Sequence, residues 1–241
     1  MPVSVIEMVI AALVTFVAAG VQGAIGFGIA VVSVPILALL DPALAPVPQA
    51  LLSYPIALTL LWRDRSSIDL SGMGWLLLGR LPGAAIGALL LVSFDTDALT
   101  IVVALMVLAA VIALGSGWTL VKTPTTSFFT GVVSSISSLV ASIGGPPMAL
   151  LYRGETGPTI RATLSAIFVI GLSITIAIRA LTGRILAVEL ESTLWLIAPM
   201  LLGLVVGLRL QSRIEGERLR RAVLVVAGLA AVGLLANQIV G

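Results

Sequence analysis

Neither cysteine nor histidine occurs among the 241 residues. That excludes disulfide scaffolds, thiolate or imidazole metal sites, and any nucleophilic dyad or triad built on either residue. Charge is scarce too: Asp, Glu, Lys and Arg make up 10% of the chain and aromatics 5%. What remains is apolar, with 59% hydrophobic residues and a mean hydropathy of +1.21. A soluble domain of this length cannot hide so much apolar surface, because much of any folded surface still faces water. The composition describes an all-α integral membrane protein. A net charge of +2 and a pI near 9.7 hint at nucleic acid, but the 13 Lys and Arg lie scattered between apolar runs and form no stripe. No basic residue precedes Glu7 and the apolar run from Val3 is long, so a retained membrane segment is expected there rather than a cleaved leader.

A helical span needs ~20 apolar residues. Residues 45–62, 71–92, 98–115, 159–181, 193–210 and 219–240 qualify as full-length segments. Two others are interrupted. Residues 3–40 are too long for one span and are punctuated by Gly20, Gly23, Gly26 and Gly28. Residues 127–151 are broken by Gly144, Gly145, Pro146 and Pro147. Unsatisfied backbone groups in hydrocarbon cost several kcal/mol, so breaks at membrane depth belong where protein or a watery cavity covers them. The halves correspond weakly. Ile25-Gly26-Phe27-Gly28 precedes Ile143-Gly144-Gly145-Pro146 by 118 residues, and Gly83-Ala84-Ala85-Ile86-Gly87 precedes Gly203-Leu204-Val205-Val206-Gly207 by 120. The reading is eight hydrophobic segments in two repeats, residues 1–116 and 127–241 joined by a linker at 117–126.

Loop charge sets the topology. If both broken segments enter and leave on one side, Arg63, Arg65, Lys122, Arg153, Arg161 and the five arginines of residues 209–221 share one face. The positive-inside bias makes that face cytoplasmic. Three full crossings per half then make the repeats inverted, with both termini outside. For the first segment the charges are silent, and re-entry there is extended from the second by symmetry.

A broken helix exposes free N–H groups at the start of its second half, carrying about half a positive charge and suited to an anion. Here those starts are expected near Gly28 and Pro147, with Gln22, Ser33 and Ser142 as neutral donors nearby. Tyr54, beside Pro55 and one turn after Gln49, is read as a cavity-facing hydroxyl. Arg80 is the one charge that loops do not explain, ~13 Å into its segment. It should face protein or water and pair with a partner. Either backbone carbonyls freed by the breaks or the transported anion would serve. Gly79 and Gly83 beside it make room for another segment, taken to be the first break. Arg153 and Arg161 fit ordinary topogenic charge, or else an electropositive vestibule. Trp62, Trp75, Trp118 and Trp195 read as interface anchors. All eleven carboxylates lie in loops or near segment ends, which argues against an intramembrane enzyme. A non-transporting assembly or anchor subunit is the alternative, though it has no need of two matched breaks.

Gly20-x-x-Gly23-x-x-Gly26-Phe27-Gly28 with Pro35-Ile36-Leu37 resembles the first glycine-rich motif of the TauE/SafE family of membrane permeases. Ile143-Gly144-Gly145-Pro146-Pro147 with Arg153 resembles the second, although Pro-Pro after Gly-Gly departs from the usual glycine cluster. The resemblance covers essentially the whole chain. It implies transport of small sulfur-containing anions, such as sulfite or organosulfonates, across a bacterial inner membrane. Gln22, Gly23, Gly26, Gly28, Ser33, Tyr54, Arg80, Ser142, Gly144, Gly145, Pro146 and Arg153 are the candidate substrate contacts. No cofactor, metal or catalytic residue is expected. The expected partners are the bilayer and a small organic or inorganic anion, with a homodimer left open.

Overall fold

The computed structural model describes residues 3–211 and 216–240. Ten α-helices occupy them: α1 Val5–Ile25, α2 Ile29–Leu40, α3 Val47–Asp64, α4 Met73–Ser93, α5 Thr96–Gly115, α6 Pro124–Ala141, α7 Gly145–Leu151, α8 Gly157–Leu181, α9 Ala187–Leu210 and α10 Gly216–Val240. Six helical stretches among the described residues are long and apolar enough to cross a membrane. The protein is a multi-pass, all-helical membrane protein.

Local sequence explains where the helices begin. Ser4 and Glu7 form a capping box at α1, Asp95 accepts from the Ala98 amide at α5, and Thr123 and Thr126 cap α6 with Pro124 in its first turn. α9 starts at Ala187, six residues before the expected segment at 193. Glu189 turns its carboxylate back onto the Leu186 amide at 2.7 Å and closes the first turn, so a residue read as loop charge is a helix cap.

Both broken segments are hairpins, each returning to the end where it began. α1 starts beside the first turns of α9, where Val5, Met8 and Val9 share a crevice with Val188, Ser192 and Trp195. Its 21 residues make it long enough to cross unaided, and α2 brings the chain back. Gly20 and Gly23 lie inside α1 and do not interrupt it; the break is confined to Gly26, Phe27 and Gly28. α6 starts at the opposite, basic end and α7 returns to it. There too the interruption is shorter than its motif. Ser142, Ile143 and Gly144 break the helix, whereas Pro146 and Pro147 sit in the first turn of α7, where a missing N–H costs no helical bond.

Glycine lets two helix pairs touch backbone to backbone. α1 runs along α9, and a Cβ at Gly203 or Gly207 would overlap the carbonyl oxygen of Phe16 or Gly20. α6 runs along α4, where a Cβ at Gly79 or Gly83 would overlap the Phe128 or Val132 carbonyl, and one at Gly131 the Leu76 carbonyl. The segment that Gly79 and Gly83 admit is therefore α6, which leads into the second break, and not the first break as expected. Small residues are how membrane helices reach this distance, since bulky ones would hold the backbones apart.

At the basic end the Lys122 ammonium ties three loops together. It donates to Asp69 and, at 3.0 Å, to Glu155, and it lies 4.4 Å from the centre of the Tyr152 ring. Burial alone would push the Asp69 carboxyl up. Hydrogen bonds from Lys122 and Ser71, with the lysine charge, outweigh it and hold the group below the ordinary carboxylate range. Burial likewise pulls Lys122 down, and its bonds to Asp69 and Glu155 outweigh that and hold it above the ordinary ammonium range. Trp62, Trp75, Trp118 and Trp195 are all exposed on the bundle surface. The segment of five arginines falls partly outside the described residues.

Candidate functional site

The two breaks meet. Residues Gly28 to Val31 from the first and Ser142 to Gly145 from the second line one central cavity of about 20 Å³, space for roughly one water. Gln22, Ser53 and Ser138 supply its polar wall, and Phe168 and Leu172 of α8 close it. No charged residue lines it among the described residues. Its polarity comes from amides, a carboxamide and hydroxyls.

The first break is built by glycine conformation. Gly26 (φ 92°) ends α1 and donates its N–H to Gln22 O at 2.7 Å; Gly28 (φ 122°) then turns the chain into α2. Side chains rarely adopt either angle, which is why glycine stands at both. Gln22 Oε1 accepts from the Ile29 amide at 3.2 Å, so a side chain of α1 caps α2. The next amides, Ala30 and Val31, open a helix and have no helical acceptor of their own. They lie in the cavity wall. Ser33 stands one layer behind, its Oγ 2.6 Å from Ile29 O and 2.9 Å from Gln49 Oε1.

In the second break Ser142 takes a left-handed conformation (φ 61°) as the α6 cap, with its N–H on Ser138 O and the Ile143 amide on Ser137 O. Its hydroxyl donates to Pro46 O at 2.9 Å, reaching the loop that follows the first hairpin. Gly145 faces Phe27, where a Cβ would stand 3.2 Å from that side chain. Gly144 O accepts from Ser134 Oγ at 2.7 Å, and Ser134 Oγ accepts from Arg80 Nη1 at 3.1 Å.

Arg80 is only 1% exposed. Its guanidinium fills the place a side chain at Gly171 would occupy, and its Nε has no hydrogen-bond partner among the described residues. It therefore stands behind the cavity wall, joined to the second break through Ser134. A second buried arginine, Arg179, stands two residues from the end of α8, a position that in the sequence alone is that of a boundary charge. Its Nε and Nη2 donate to Leu139 O at 3.0 and 2.7 Å, and Nη2 donates to Val140 O at 2.9 Å. These are last-turn carbonyls of α6, which have no helical donor.

The structure brings Gln22, Gly28, Ser142, Gly144 and Gly145 to the cavity, with Ser33 and Arg80 one layer behind. Other candidates lie elsewhere. Tyr54 is half-buried and accepts from Ser173 Oγ at 3.2 Å outside the cavity wall, while its neighbour Ser53 lines it. Gly23 packs on Leu204 of α9, and Gly26 on Arg161. Pro146 lines a crevice toward α5. Arg153 donates to Trp118 O at 3.0 Å at the basic end, where Arg161 pairs with Asp64 at 2.7 Å. Ser53, Ser134 and Ser138 were missed. The run Ser134-Ser135-Ile136-Ser137-Ser138, ending a membrane segment beside a break, was the available signal.

The family model described as "Sulfite exporter TauE/SafE" matches residues 11–234. No curated protein and no solved structure matches the chain.

Proposed function

We propose, since the chain belongs to the sulfite exporter TauE/SafE family, that it is a secondary transporter of small sulfur-containing anions such as sulfite or organosulfonates. The observation that carries this reading is the convergence of two helix breaks on one cavity, with the starts of both α2 and α7 in its wall. Helix starts favour negative charge, and membrane carriers place substrate where half-helices meet. Gln22, Ser53 and Ser138 then orient the anion. The buried Arg80 supplies net positive charge from behind the second break. The cavity holds about one water, so this is a closed conformation that must widen to admit cargo. Purified protein in liposomes should move labelled sulfite or a sulfonate with saturation. Liposomes as tight as protein-free ones would favour the non-transporting subunit instead.

The arrangement in the membrane is two inverted repeats, residues 1–116 and 127–241, in a bacterial inner membrane with the basic end cytoplasmic. Phe16 O meets Gly203 as Val132 O meets Gly83, and Gly20 meets Gly207 as Ile136 approaches Gly87. The partners are offset by 116 residues on one side and 120 on the other. The chain has no cysteine of its own, so single-cysteine variants need no background removed. Ser67→Cys and Gly216→Cys should both resist a membrane-impermeant thiol reagent added to intact cells. Labelling of one and not the other would sink the inverted arrangement.

A further inference from the structure

A second cavity, of about 460 Å³, opens at the end opposite the basic loops. It adjoins the central cavity. Val34, in its wall, lies three residues along α2 from Val31, and Val140 lies two residues before Ser142. The hydrogen bond from Ser142 Oγ to Pro46 O, at 2.9 Å, bridges the layer between them. The small cavity and the large one are thus consecutive along one line through the bundle.

Its charge is out of place for this end of the protein. The loops at residues 41–46 and 93–97 carry no basic residue, as expected for the outer face. Yet the cavity is lined by Arg179 and Arg184 against one carboxylate, Glu189. Two of the three are already engaged: Arg179 with the α6 carbonyls and Glu189 with the Leu186 amide. The Arg184 guanidinium makes no hydrogen bond or ion pair among the described residues. A guanidinium fork is matched by two oxygens of one oxyanion, as in sulfite, a sulfonate or a carboxylate.

We propose that this cavity is an outer subsite of the anion path, with Arg184 as its recognition residue and the Ser142–Pro46 contact as the barrier between the two subsites. The inference rests on the transporter reading. An anion leaving the central cavity passes that contact and meets Arg184 before it meets bulk water.

The difference in volume supplies the test. Naphthalene disulfonate is too large for a cavity of about 20 Å³ but fits one of about 460 Å³. Right-side-out vesicles preloaded with sulfite are exposed to it from outside, and efflux is followed. The wild type should be blocked. Arg184→Gln and Arg184→Ala should need about tenfold more disulfonate for half-block, and Arg184→Lys should recover most of the difference. Wild-type efflux that ignores the disulfonate, or half-block concentrations that do not move in either neutral variant, overturns the outer subsite and leaves the transporter reading standing. Absence of saturable wild-type efflux overturns the transporter reading and the outer subsite together.

Discussion

Arg80→Gln should bring sulfite flux close to zero while the protein still inserts and elutes as a single species. A lone arginine buried at membrane depth costs at least ~2.5–3.5 kcal/mol on insertion scales. Arg80 is 1% exposed, and its one hydrogen bond goes to a neutral serine hydroxyl. No carboxylate compensates the charge; among the described residues its ion pairs are none, the four present all lying at the basic end. On the proposed function, the missing negative charge is what the cargo would bring. Through Ser134 the guanidinium reaches Gly144, in the cavity wall, so its field would act on an anion held there. Removing a charge-assisted interaction of this kind costs ~1.5–3 kcal/mol, or about ten- to a hundredfold in apparent affinity. Arg80→Lys keeps the charge and loses the fork, so flux should fall partway. Normal transport by Arg80→Gln would remove Arg80 from the anion's surroundings. Failure to fold would instead assign it the structural task of holding α4, α6 and α8 together.

The glycine contacts carry the second large effect, this time on stability. Gly79→Ala, Gly131→Ala, Gly203→Ala and Gly207→Ala each place a methyl group on a backbone carbonyl of the facing helix. A flexible side chain would swing aside, but a helix backbone cannot. Each substitution should cost ~1–3 kcal/mol or more and appear as a lower melting temperature in detergent or loss of folded protein. Gly74→Ala and Gly115→Ala are the counterparts, with no described atom beyond the adjoining turns of their own helix within 4 Å of the new methyl group. They should be neutral or raise the melting temperature, because alanine favours helix over glycine by roughly 0.5–1 kcal/mol. Equal melting of Gly203→Ala and wild type would show that α1 and α9 are not held by backbone contact.

Both outcomes turn on distinctions that only some residues announce. Five of the six expected full-length spans, all but the one at 219–240, were legible because ~20 apolar residues in a row have one use, and both breaks were placed within a few positions. Their extent was not legible. A glycine that bends the chain and a glycine that admits a neighbour look alike in one sequence. Gly26 and Gly28 turned out to be the first kind, Gly20 and Gly23 the second, and what separates them is the approach of α9 and its carbonyls. Arg80 stood out because no loop claimed it. Arg179 did not, since two residues from the end of α8 it passed for boundary charge, and its acceptors lie about forty residues away. The cavity serines were hidden for a related reason: hydroxyls in membrane helices commonly satisfy carbonyls of their own helix, as Ser137 does on Val133 O. Only the fold distinguishes it from Ser134, whose acceptor is Gly144.

Interrupting a helix creates two poles of opposite sign side by side. The start of the second piece is positive, the end of the first is negative, and an ion between them feels little net preference. The grip of Arg179 on the Leu139 and Val140 carbonyls cancels the negative pole of α6. At α2 only the Ile29 amide is capped, by Gln22 Oε1, and the Ala30 and Val31 amides stay open, whereas α7 opens on Gly145 followed by two prolines that carry no N–H. What is left around the central cavity is therefore lopsided toward the open amides of α2, and on the proposed reading a residue that never has to touch the cargo helps to select its sign.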